Sequence, residues 1–157
     1  MWNGISFVLF PTLEPLPDFS VCSDASGGIG YGAFMDNEWF SGQWPLHQIP
    51  LSIPYNELFP VVLAANVWGT CWYRRRILFH VDNEAVVHIL NSLSSPDLNI
   101  MHLLHSLFKV AACLSFTFAA VRVPGNNNGV ADALSRFNWQ GFCSQAPCAK
   151  KSPSLLI

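Results

Sequence analysis

The chain has 157 residues, of which 51% are apolar and only 11% charged, with a net charge of −2. That length suffices for one domain with its own core, and the composition excludes a disordered segment. No apolar run reaches the ~18 residues of a membrane span, and the opening MWNGISFVLF lacks the basic segment of a secretory signal. The expectation is therefore an intracellular protein, cytoplasmic or nuclear, without membrane attachment. Five scattered cysteines with no CxxC pair argue for reduced thiols and against zinc.

Residues 1–17 end in the proline-rich PTLEPLP and are expected to be a lead-in or linker. A short strand is expected over 19–24. Gly27 and Gly28 then make a hairpin turn, and Ile29, Tyr31, Ala33 and Met35 alternate along a second strand. Asp36-Asn37 turns the chain into a third strand over 39–44. Pro45, Pro50 and Pro54 mark a loop over 45–54. After it, Leu58, Val61, Val62, Ala65 and Trp68 recur at helical spacing, with Gly69 as a stop. Residues 76–81 form a continuous apolar run, the pattern of a central strand covered on both faces. Val86, Ile89, Leu90 and Leu93 mark a helix over 83–93. Ile100, Leu103, Leu104, Leu107, Phe108 and Ala111 mark an amphipathic one beyond Ser94-Ser95-Pro96. A fifth strand over 115–123, a PGNNNG loop and a short helix over 130–137 close a domain spanning 18–138. Residues 139–157 lack periodicity and are expected to be a tail without regular structure. The order βββαβααβα predicts an α/β fold: a five-stranded mixed sheet flanked by helices.

The ten acids are few enough for their positions to carry information. Asp24 ends the first strand, Glu57 falls in the first turn of the first helix, Asp82 ends the fourth strand, and Asp132 opens the last helix. If strands 1 and 4 run parallel side by side, Asp24 and Asp82 lie one strand spacing apart, ~5 Å, at the end of the sheet where α/β folds place their sites. Carboxylates that close repel one another, and a divalent cation removes the repulsion. Oxygen ligands without cysteine or histidine favour Mg²⁺ or Mn²⁺ over zinc. Four carboxylates suffice for two such ions ~4 Å apart, an arrangement that hydrolyses phosphodiesters. Each acid also has a structural explanation. The helix dipole favours Glu57 and Asp132 in first turns, Asp82 suits an N-cap, and Asp24 suits a turn. It is the joint placement of all four that favours a site.

Five segments resemble the type 1 ribonuclease H fold, and in particular the ribonuclease H domain of retroelement reverse transcriptases, DIRS-like first and gypsy-like next. They are SDASGGIGYGAF (23–34), WFSGQWP (39–45), NELFPVVLAANVWG (56–69), RILFHVDNEAVVHILNS (76–92) and VPGNNNGVADALSRF (123–137). DNEAVV followed by ADALSR is the specific combination. The resemblance implies a metal-dependent endonuclease that cuts the RNA strand of RNA·DNA hybrids with two Mg²⁺ (or Mn²⁺), leaving a 3′-hydroxyl. Asp24 would bridge both ions, Asp132 would complete the site of the water-activating one, and Glu57 and Asp82 would complete the other. Ser26 and Gly27, through their backbone, and the side chain of Asn83 would contact the substrate. Such enzymes read the wide minor groove and its 2′-hydroxyls. An upstream reverse transcriptase domain of the same polyprotein would be a further partner. The alternative is a catalytically silent remnant, or a binding module of the same fold.

Several features point the other way or elsewhere. The PGNNNG loop has no histidine where cellular relatives carry one, and Arg122 stands where retroelement relatives often show histidine. The long helix carries only Lys109, His102 and His105 as bases, so weak hybrid affinity is expected. No YxDD-type pair of aspartates is present. GGIGYG opens a strand and not a helix, which excludes a dinucleotide loop. The residue 35 beyond Asp82 is Thr117, against the integrase pattern. Position 26 is serine, against the Asp-x-Glu of proofreading exonucleases. Arg74-Arg75-Arg76 fits a solvated turn, or contacts to phosphate.

Overall fold

The computed structural model describes residues 16–46 and 51–156. Five strands, β1 (Phe19–Ser26), β2 (Gly30–Met35), β3 (Glu38–Gln43), β4 (Arg76–Val81) and β5 (Thr117–Arg122), form one sheet in the order β3-β2-β1-β4-β5. The first three make an antiparallel meander, and β4 and β5 run parallel to β1. The helices are α1 (Ile53–Trp68), α2 (Glu84–Ser92), α3 (Leu98–Leu114), α4 (Gly129–Ser135) and α5 (Trp139–Gln145). The α/β fold expected from the sequence is the one observed. The proposed lead-in lies outside the described residues except for its last two.

Alternation along the strands separates two cores. Val21, Ala33, Phe40, Ile77 and Phe79 are buried with Leu58, Val61 and Trp68 of α1 and with Leu104 and Leu107 of α3. Phe34 and Trp39, one residue out of phase, pack with Leu134 of α4 and Phe142 of α5. The sheet therefore carries α1 and α3 on one face and α4 and α5 on the other. Gly32 in β2 lets α4 approach closely, because a β-carbon there would sit 2.5 Å from Leu134 Cβ.

Three differences from the sequence expectation bear on the site. β1 runs to Ser26 because Ala25 and Ser26 still pair with Tyr31 and Gly30. Helix α1 begins at Ile53: Ser52 caps it through the Tyr55 N–H (3.2 Å), and Pro54 occupies the first turn, where its missing N–H costs nothing.

The third difference corrects the tail. Residues 139–157 were expected without regular structure, yet α5 forms there, and the chain beyond it docks along β3. Lys150 and Ser154 donate backbone N–H groups to Asn37 O (2.9 Å) and Trp39 O (2.7 Å). Trp39 Nε1 donates to Lys150 O (2.7 Å), and Trp68 Nε1 to Ser154 Oγ (3.0 Å). At the opposite edge, the Asn91 amide of α2 exchanges two 2.9 Å hydrogen bonds with the backbone of Ala120 in β5. Both exposed edges are thus blunted against pairing with another chain. Among the described residues, no helix is long and apolar enough to cross a membrane.

Candidate metal centre

Residues 19–22 of β1 pair in parallel with 77–80 of β4, a constant offset of 58. Two residues beyond the last pair on each strand stand Asp24 and Asp82, so this register brings them side by side. Glu57 arrives from the second turn of α1. One carboxylate oxygen from each of Asp24, Glu57 and Asp82 lies within 4.8 Å of the other two. Asp24 and Glu57 are 6% and 7% exposed, and Asp82 is half-buried.

The structural explanations for these three acids do not hold. Asp24 sits inside a strand, opposite Gly32. The cap of α2 is Asn83, whose Oδ1 accepts from Val86 N–H (3.2 Å), which leaves the Asp82 carboxylate uncommitted. Glu57 lies beyond the first turn of its helix, because α1 starts earlier than the sequence implied.

The cluster is electrostatically frustrated. Burial, reinforced by Asp24 and Asp82, pushes the Glu57 carboxyl up to about 8, although the Ala25 N–H donates to it. Burial likewise raises Asp24. The Ser135 hydroxyl opposes that rise, Asp82 and Asp132 add to it, and Arg136 opposes it more weakly. Glu57 Oε2 is buried without any hydrogen-bond partner among the described residues. An orphaned buried oxygen facing two further carboxylates is what a hard divalent cation satisfies, so this donor set fits Mg²⁺ or Mn²⁺. None of the five cysteines belongs to it.

Asp132, the fourth expected ligand, is not part of this cluster. It opens α4, as predicted, but its Oδ1 accepts from Arg136 Nε at 2.8 Å, an i,i+4 ion pair with both side chains about half exposed. Of the expected substrate contacts, Ser26 is buried and its carbonyl accepts from Trp44 Nε1 (3.0 Å). Gly27 is exposed in the turn. Asn83 spends its side-chain oxygen on the α2 cap.

Sequence reasoning had singled out Arg122 and missed three other residues around the cluster. Ser135 Oγ lies 2.5 Å from Asp24 Oδ2 and 2.9 Å from the Asp132 carbonyl, and its one proton serves one of them at a time. Arg136 holds Asp132. Asn128, 2% exposed, donates Nδ2–H to Ser23 O (3.0 Å) and ties the start of α4 to β1. Arg122 donates from Nε to the Asp82 carbonyl (3.3 Å). The i,i+4 spacing of Asp132 and Arg136 was visible in the sequence. Nothing in it distinguished Asn128 from its neighbours Asn126 and Asn127.

No family model matches the chain, and no curated protein matches it. Solved structures do. RNase H1 from the halophilic archaeon Halobacterium salinarum superposes with a TM-score of 0.58 at 14% identity, over 76% of this chain and 97% of that one. LC11-RNase H1, solved in complex with an RNA/DNA hybrid, gives 0.61 at 13%, over 74% and 93%. The foamy viral protease-reverse transcriptase, also solved with an RNA/DNA hybrid, gives 0.57 at 15%, over 90% of this chain but 23% of that much longer one. At these identities the likeness establishes the fold: the chain has a ribonuclease H-like architecture.

Proposed function

We propose that the protein is a metal-dependent endonuclease acting on the RNA strand of RNA·DNA hybrids. The observation that carries this reading is the convergence of Asp24, Glu57 and Asp82 to within 4.8 Å, with a buried Glu57 oxygen left unpaired. Mg²⁺ or Mn²⁺ bound there supplies an activated water and charge stabilisation for the departing oxygen. Asp24, Glu57 and Asp82 would hold one such ion, and Asp132, together with Asp24, would hold a second. Ser26 and Gly27 offer backbone groups to the substrate, and the Asn83 amide keeps its N–H donors for a 2′-hydroxyl. The fold shared with two structures solved on hybrids supports this choice of substrate.

Cleavage of labelled hybrid in Mn²⁺ tests the reading. Asp24→Asn and Glu57→Gln are each expected to lower the rate at least about a hundredfold. Equal cleavage by wild type and Asp24→Asn would defeat it.

We infer further that the domain descends from a retroelement polyprotein, DIRS-like or gypsy-like, and works beside an upstream reverse transcriptase domain. Its DNEAVV and ADALSR segments and its likeness to the foamy viral enzyme support this. Restoration of cleavage by adding such a domain in trans tests the partnership. One observation favours the alternative of a silent remnant or binding module: the Asp132–Arg136 pair, which occupies the fourth carboxylate. Hybrid binding without turnover at any Mn²⁺ concentration would establish that alternative.

A further inference from the structure

Resting on the metal-centre reading, we propose that Arg136 is the resident counter-ion of Asp132, standing where a second divalent cation would otherwise draw that carboxylate in, so that the free protein is a one-ion site. Three observations carry this. First, the mutual cluster comprises Asp24, Glu57 and Asp82 and excludes Asp132. Second, Asp132 Oδ1 is engaged by Arg136 Nε at 2.8 Å, a charge-assisted bond of good length. Third, the next residue back, Ser135, links the same helix to Asp24 through its hydroxyl. The last residue of α4 and its C-cap, Ser135 and Arg136, thus carry in succession one group that steadies the first ion's ligand and another that withholds the second ion's ligand.

The physical consequence is competition. A second cation must displace a guanidinium from Asp132 and then tolerate its positive charge nearby. Both effects weaken the second ion relative to the first. Because the pair is half exposed, its strength is modest, and the competition is one that a cation at sufficient concentration wins. Among the described residues only Nε of Arg136 is engaged, so the rest of the guanidinium fork is available to another acceptor once the pair parts.

Titration calorimetry of the full chain with MnCl₂, without nucleic acid, tests this apart from catalysis. Wild type is expected to show one strong binding event and a second, much weaker one. Arg136→Gln is expected to tighten the second event by at least about threefold, the lower range for releasing an exposed pair and removing a like charge, and to leave the first nearly unchanged. The double variant Asp132→Asn/Arg136→Gln is expected to lose the gain. Arg136→Lys, which keeps the charge but not the planar fork, is expected to fall between and serves as the readout if the glutamine variant does not fold. Two events of equal strength in wild type, or a second event unmoved by Arg136→Gln, would overturn the proposal and leave the metal centre standing. No Mn²⁺ binding by wild type, or binding that Glu57→Gln leaves unaltered, would instead remove the metal-centre reading, and the proposal with it.

Discussion

Glu57 concentrates the chemistry of the site in one group. Its carboxyl is raised from 4.5 to about 8, chiefly by burial and then by Asp24 and Asp82. The folded chain therefore holds a proton that the unfolded chain releases between those two values. Stability from this group is complete below pH 4.5, falls as pH rises toward 8, and is flat above. The loss is on the order of a few kcal/mol. Half-buried His80 is shifted down by burial and acts in the opposite sense below pH 6.5, so the Glu57 effect is best read above pH 7. Urea midpoints in chelator should decline from pH 7 to 8, Glu57→Gln should flatten that decline, and saturating Mn²⁺ should abolish it. A profile in chelator that Glu57→Gln leaves unchanged would show that Glu57 titrates normally. Ser135→Ala extends the argument: with its hydroxyl donor gone, Asp24 rises further, so Mn²⁺ affinity should drop, and by more at the lower of two assay pH values than at the higher. An affinity loss equal at both pH values would mean that the hydroxyl acts through packing alone. The three clustered acids were legible through their joint placement: Asp24 and Asp82 each close an apolar strand, and Glu57 sits near the start of the first helix. The state of Asp132 was not, because an i,i+4 acid–base pair is ordinary on any helix surface and spacing does not reveal whether the acid turns to its neighbour or to a metal.

The elements decide whether those residues meet. Asp24 and Asp82 coincide because β1 and β4 are parallel in a fixed register; the apolar runs marked both as candidates for central strands, and the parallel pairing entered only as a condition. Glu57 depends on where α1 starts, which the sequence hid: three prolines read as a loop, although proline in a first turn is compatible with a helix. Asp132 and Ser135 depend on how closely α4 approaches the sheet, and that is set at Gly32. A methyl there would sit 2.5 Å from Leu134 Cβ and 3.1 Å from its carbonyl carbon, so the helix backbone itself must move. Gly32→Ala should cost roughly 1–3 kcal/mol and loosen the Ser135–Asp24 hydrogen bond. Thermal melts should show the first effect, and weaker Mn²⁺ binding the second. Unchanged melting would mean that α4 has slack the contacts do not reveal.

At the scale of the molecule, the tail is where composition and periodicity failed as guides. Helix α5 has only seven residues, too few for a periodic pattern to stand out. The segment after it is held largely through backbone groups, which leave no trace in residue type. Yet this stretch covers Trp39 and the β3 edge, and α5 packs against α4. The tail is therefore part of what positions the candidate site, although none of its residues reaches the carboxylates. A chain ending at Asn138 would expose Trp39 and lose Phe142 from the second core. Burial of one large side chain is worth about 1.5–3 kcal/mol, and each kcal/mol moves the melting midpoint of a domain this size by roughly 2–4 °C. With the edge hydrogen bonds lost as well, the shortened chain should melt about 10 °C lower or more. It should also self-associate through the uncovered β3 edge, which light scattering would register. A truncated chain that stays monomeric and melts with the full-length protein would show that α5 and the docked segment are ornaments on a domain complete without them.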